Sequence, residues 1–211
     1  MPGAMSLRFA NLRGRAVLLS SSGATDVARA SGDRFSSDPM DVLADWDDFA
    51  EWAGEITEAT ASIPYVERDL RAPVPRPSKV FGIGMNYRDH AAEAKLDIPA
   101  SPVVFTKFPN CISGPYSEVE LYSDRVDWEV ELVVVIGRRG RRISEADALA
   151  HVAGYTVGQD VSDRRMQFAD KPPQFSLGKS IDGYGPIGPA LVTLDAFADP
   201  NDLALTCDVA G

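Results

Sequence analysis

Between residues 124 and 140 the chain reads DRVDWEVELVVVIGRRG, with an unbroken β-branched run from Val133 to Ile136. Such residues lose rotamer freedom in a helix and pack well on a pleated surface, so this segment is a strand and the protein is built around a sheet. Strand side chains alternate faces. Asp127, Glu129 and Glu131 therefore point one way, and Trp128, Val130 and Leu132 point the other as the expected packing face. Carboxylates sharing one face of a buried strand repel each other, and each gives up hydration worth several kcal/mol. Four devices relieve that cost: a shared proton, Arg or Lys partners, a rim open to water, or a metal ion.

Composition narrows the classes of function. The 211 residues are 45% hydrophobic and 25% charged, ordinary for a globular chain long enough for one large domain or two smaller ones. A net charge of −10 opposes nucleic-acid binding, which calls for a basic face. The short basic cluster Arg138–Arg142 reads as solvated turn residues after a strand. No apolar run approaches the ~20 residues that span a bilayer, and no secretion signal is expected at the N-terminus. Cys111 and Cys207 form no disulfide framework and no metal-binding spacing, which points to a reducing, cytoplasmic setting.

Three regions follow from the pattern: a small α+β module over 1–72, a Pro-rich linker at 73–78 within RAPVPRPSK, and a larger strand-rich part over 79–211. In the first, Leu7–Phe9 and Ala16–Leu19 read as short strands, and Val42, Leu43, Trp46, Phe49 and Trp52 form one stripe of an amphipathic helix over 41–60. Three prolines favour extended chain in the linker. Beyond it, VFGIGMNY reads as a strand and turn, RDHAAEAKL as a helix, and strand-like runs recur at 103–107, 118–122, 130–136, 153–159 and 189–194. A helix over 144–151 takes Ser144 as its N-cap. The class is α+β.

Several residues have chemical potential and an ordinary alternative. Asp160 ends a second strand-like run, so it can join Glu129 and Glu131 at one point and complete three hard oxygen donors for Mg2+, with Mn2+ compatible. Carboxylates two apart are also common on exposed strands. His90 and Glu93 share a helical face, the arrangement of an oriented general base, and equally that of a surface histidine beside a helical glutamate. His151, at a helix end, suits capping or packing. Lys179, in a Gly- and Pro-rich loop, can reach an anionic substrate or simply face solvent, and Arg164 can grip a carboxylate with two nitrogens.

Five linked segments carry a resemblance: FGIGMNYRDHAAE (81–93), PVVFTKFPN (102–110), DWEVELVVVIG (127–137), GYTVGQDVSDRRMQ (154–167) and LGKSIDGYGPIGP (177–189). In order and spacing they are similar to the fumarylacetoacetate hydrolase superfamily. The resemblance implies a mixed β-roll with a small N-terminal domain, usually as a homodimer. It implies a divalent ion, Mg2+ or else Mn2+ or Ca2+, on Glu129, Glu131 and Asp160. It also implies His90, Glu93 and Lys179 as catalytic groups, with Arg164 and Gln167 binding the substrate carboxylate. Family members continue through a Thr-Gly-Thr-Pro segment beyond the point where LALTCDVAG ends, so the chain is expected to be a piece of a longer protein.

The implied activity is metal-dependent cleavage of a C–C bond in a 2-oxo acid or β-dicarbonyl by enolate stabilisation. The same site chemistry serves isomerisation or decarboxylation of 2-hydroxyhepta-2,4-diene-1,7-dioate in aromatic catabolism, and oxaloacetate decarboxylation or keto–enol isomerisation. A non-catalytic ligand-binding scaffold is the reading from another class. The expected partner is a small dicarboxylate or 2-oxo acid, not a nucleic acid or a membrane.

Overall fold

The computed structural model describes residues 6–56, 63–87 and 99–210. Among these residues twelve strands run in chain order as β1 (Arg8–Leu12), β2 (Arg15–Ser20), β3 (Gly23–Asp26), β4 (Leu70–Arg71), β5 (Val80–Gly84) and β6 (Val103–Lys107). They continue as β7 (Ile112–Ser113), β8 (Val126–Asp127), β9 (Val130–Ile136), β10 (Val152–Gln159), β11 (Ser162–Asp163) and β12 (Gly185–Val192). The main sheet has the order β3-β2-β1-β12-β10-β9, with β4 beside β1 and β7 beside β12; β5–β6 and β8–β11 form separate pairs. With short helices between the strands, the fold is α+β and strand-rich.

The sheet crosses the boundary expected at residue 72. β1 pairs antiparallel with β12 through Phe9 and Leu191, so N-terminal strands and late strands share hydrogen bonds. They share a core as well. Phe9, Phe35, Trp46 and Phe49 pack in one cluster with Ala153, Ile187 and Leu191. Phe49 is fully buried and stands edge-on to Phe9, with ring centres 5.6 Å apart. The Pro-rich stretch bends at 73–76 rather than running extended, and it is no loose linker: Ala72, Pro73 and Val74 are buried against this body.

Two local expectations change. The helix expected over 41–60 is two helices, Pro39–Ala44 and Trp46–Ala53, broken at Asp45 (φ −114°, ψ 42°), with 57–62 outside the described residues. The break re-aims the second helix, setting Trp46 and Phe49 against Phe9, so packing outweighs the continuous helical period. The run 118–122 forms no strand, and Leu121 and Tyr122 are exposed. Ser144 does cap the next helix, accepting from the Asp147 N–H, although Glu145–His151 is 3-10 rather than α. Nor is Arg138 merely solvated: its guanidinium forks onto Asp47 at 2.8 and 2.9 Å, pinning the turn after β9 to the aromatic helix through an exposed pair.

The faces of β9 are the reverse of the expected assignment. Val133 and Val135 pack on the core cluster, whereas Trp128, Val134 and Ile136 are exposed. The strand lies at the sheet edge, and the face bearing Glu129 and Glu131 is the one that turns inward. One face is thus apolar at its Val133–Val135 end and acidic at its Asp127–Glu131 end.

Candidate active site

The register of β9 on β10 assembles the site. Glu131 lies opposite Gly158 and Val130 opposite Gln159. The same register resumes in β8–β11, where Asp127 lies opposite Ser162. Between these pairs the Asp160 N–H donates to the Glu129 carbonyl at 2.8 Å, which sets Glu129 opposite Asp160. Facing residues of an antiparallel pair project to the same side. Asp127, Glu129 and Glu131 therefore share one face with Asp160 and Ser162. Arg164, two residues further on, is held by its backbone N–H on the Arg125 carbonyl.

Cations interleave with these acids. Arg164 reaches Asp127 at 2.8 Å and Glu129 at 2.6 Å. Lys179 reaches Glu129 at 2.9 Å and Asp160 at 2.7 Å, and Lys107 reaches the second oxygen of Asp160 at 2.5 Å. The result is an alternating chain, Asp127–Arg164–Glu129–Lys179–Asp160–Lys107. Its Lys179, Lys107 and Asp160 members are buried. Of the four devices that relieve crowded carboxylates, Arg and Lys partners are the one seen here for Glu129 and Asp160.

Each cation is placed by local structure. Lys179 caps the C-terminus of helix Phe175–Gly178, and its third donor hydrogen goes to Ser162 Oγ at 2.7 Å. Gly178 permits that approach, since a Cβ there would lie 2.8 Å from the Asp163 carbonyl oxygen. Lys107 ends β6 and also donates to the Tyr184 carbonyl at 3.1 Å. Arg164 opens the short helix Arg164–Gln167, capped by the buried Asp163, and donates to the buried Gln167 Oε1 at 2.9 Å.

Glu131 stands outside this chain of ion pairs. It accepts from the Tyr87 hydroxyl at 3.1 Å. Burial pushes its carboxyl up to about 7; the Tyr87 bond opposes the rise, and the nearby charges of Glu129 and Asp160 add to it. Burial likewise raises the Tyr87 phenol.

Of the eight residues expected in the site, Glu129, Asp160, Lys179, Arg164 and Gln167 come together, and Glu131 borders them, near enough to feel the charges of Glu129 and Asp160. His90 and Glu93 lie outside the described residues, as does the helix expected there. Lys107, Ser162, Asp127 and Tyr87 are additional members. Lys107 carried one legible signal, a lysine closing the apolar strand run of PVVFTK; Ser162 carried none.

Among the described residues, no three His, Cys, Asp or Glu side chains stand as ready ligands of one ion. The chemistry of the donor set nonetheless suits a hard divalent cation. Glu129, Glu131 and Asp160 offer only carboxylate oxygens, close enough to raise the Glu131 carboxyl. Two of them already hold the Lys179 ammonium between them, as they would hold another cation.

A strand-rich α+β scaffold thus carries interleaved acids and cations at the edge of its sheet. The chain belongs to the fumarylacetoacetate hydrolase family, the model of whose C-terminal domain matches residues 79–211. It is 50% identical over 151 residues to human oxaloacetate tautomerase FAHD2A, mitochondrial, covering 71% of this chain and 48% of that one. It thus spans about half the length of the curated relatives it matches. Among solved structures, a candidate HpcE protein from Mycobacterium smegmatis is 49% identical with a TM-score of 0.81, covering 92% of this chain and 69% of that one. Maleylpyruvate hydrolase from Sphingobium sp. SYK-6, in complex with manganese(II) ion and pyruvate, is 25% identical with a TM-score of 0.72, covering 92% of this chain and 69% of that one. No helix among the described residues is long and apolar enough to cross a membrane.

Proposed function

We propose that this chain carries the site of an enzyme that interconverts the keto and enol forms of a 2-oxo dicarboxylate, with oxaloacetate as the substrate. The observation that carries this reading is the Lys179 ammonium held between Glu129 and Asp160, beside Arg164. The 50% identity to a protein named oxaloacetate tautomerase supports it further. These relatives favour tautomerisation over the C–C hydrolysis first expected.

A divalent ion on Glu129, Glu131 and Asp160 would supply Lewis-acid polarisation of the 2-oxo carbonyl. The protein's own groups do the rest. Arg164, anchored by Gln167, exchanges part of its hold on Asp127 for a substrate carboxylate, fixing which carbon faces the base. His90, assisted by Glu93, accepts the proton leaving C3 and returns it to the oxygen at C2, so the enol forms with no net gain or loss of protons. Lys179 stabilises the negative charge that develops on that oxygen in between. The dimer implied by the family completes this reading. The cytoplasmic setting expected from the sequence is not shared by FAHD2A, which is described as mitochondrial.

The test follows the ultraviolet absorbance of enol oxaloacetate in the presence of Mg2+ or Mn2+, with and without the protein. Acceleration over metal alone is expected. Lys179→Met is expected to lower kcat/KM by about 10²–10³-fold. No acceleration, together with cleavage of an acylpyruvate, would replace this reading by the hydrolase one, which the likeness to maleylpyruvate hydrolase favours.

A further inference from the structure

Lys107 has no role in the reading above, yet it is a buried cation of the cluster that is tied to main chain. Its side chain is 7% exposed, and its ammonium is tied both to Asp160 Oδ1 at 2.5 Å and to the Tyr184 carbonyl at 3.1 Å. The second tie goes to main chain, in a residue that is itself fully buried. Lys179, by contrast, holds side chains only: Asp160 Oδ2, Glu129 and Ser162. Both oxygens of Asp160 therefore have ammonium partners, and the two partners differ in how firmly they are fixed. A cation arriving at the carboxylates competes with Lys179 for Oδ2, whereas Oδ1 belongs to a lysine anchored on backbone.

We infer that Lys107 is a positioning residue that reserves Asp160 Oδ1, so that Asp160 offers an ion a single oxygen and the site prefers Mg2+ or Mn2+ to Ca2+. The physical reason lies in the ions. Mg2+ takes six ligands in a near-ideal octahedron at about 2.0–2.1 Å, whereas Ca2+ takes six to eight at about 2.3–2.6 Å and readily accepts both oxygens of a carboxylate. A carboxylate with one oxygen withheld suits the first geometry and denies the second an easy extra ligand. Lys107 also fixes the tilt of Asp160, the part that outer partners play for metal-binding carboxylates. β6 carries it to this place: Lys107 pairs in register with Val80 of β5, so the β5–β6 pair reaches the sheet-edge Asp160 through this side chain.

The inference rests on the reading that Glu129, Glu131 and Asp160 hold an ion, and the test separates the two. Titration calorimetry of the full chain with Mg2+ and with Ca2+ gives the ratio of affinities in wild type and in Lys107→Met. Wild type is expected to prefer Mg2+, and the variant to lose about tenfold or more of that preference as Ca2+ gains the freed oxygen. An unchanged ratio in a folded variant overturns the role of Lys107 and leaves the metal reading standing. Wild type that binds neither ion overturns the metal reading and this inference with it. Should Lys107→Met fail to fold, a crystal structure of the Mn2+-loaded wild type decides. One Asp160 oxygen on the ion with Lys107 still on the other supports the inference, and both oxygens on the ion overturn it.

Discussion

At the scale of single residues, the worth of an ion pair depends on what solvent it has lost. Asp160 is buried between two buried lysines, whereas Asp124 pairs with Arg165 at the surface, where both side chains are more than half exposed. Asp160→Asn leaves the buried Lys107 ammonium without its carboxylate and Lys179 with Glu129 alone, and breaking a buried pair in this way costs about 3–5 kcal/mol. Asp124→Asn is expected to cost about 0–1 kcal/mol. Urea unfolding of the two variants checks this, and equal losses would show that Asp160 is far better solvated than its surroundings suggest. The candidate site was partly readable at this scale. Glu129 and Glu131 stand two apart on a strand, which places them on one face whatever the rest of the chain does. The pairing of Lys107 with Asp160 was not readable, because it spans 53 positions of sequence.

At the scale of elements, the N-terminal hairpin gives the pH test. β2 and β3 are adjacent antiparallel strands, and Arg15 of one forks onto Asp26 at the end of the other, at 2.6 and 3.1 Å. Asp26 also caps helix Val27–Ala30 by accepting from the Arg29 N–H at 3.0 Å. The Arg15 guanidinium, more than offsetting burial and aided by the Arg29 N–H, holds this carboxyl below the usual aspartate range. A depressed folded pKa stabilises the fold fully above the unfolded value and loses that contribution as pH falls through the folded one. Asp26→Asn should thus cost about 1 kcal/mol near neutrality, since solvent at half-exposed Arg15 screens the pair. The gap to wild type should narrow between about pH 5 and about pH 3. A gap independent of pH would mean that the charge of Asp26 contributes nothing. Hairpin strands of this kind were legible because their signals are local. The break at Asp45 was not, since the stripe of Val42, Leu43, Trp46, Phe49 and Trp52 continues through it and only contact with Phe9 turns the second helix.

At the scale of the whole molecule, one sheet and one aromatic core join residues before and after the Pro-rich stretch. Unfolding is therefore expected as a single transition, with far-UV circular dichroism coinciding with tryptophan fluorescence, to which the buried Trp46 contributes. Deleting residues 1–72 should abolish cooperative folding, because it bares the edge of β12 and removes the aromatic cover from Ile187 and Leu191. Two separate transitions would restore the picture of independent modules. The division at residue 72 follows from composition, which changes there, but composition carries no information about which strands pair. What the amino-acid order settled alone was local: the strand character of 130–136, the shared face of its acids, the cap at Ser144 and the family motifs. Three-dimensional structure settled which face turned inward, the register that set Glu129 opposite Asp160, and the lysines that neutralise them. Alternation and capping follow from backbone geometry within a few residues, whereas register and burial depend on hydrogen bonds and contacts between segments far apart in the chain.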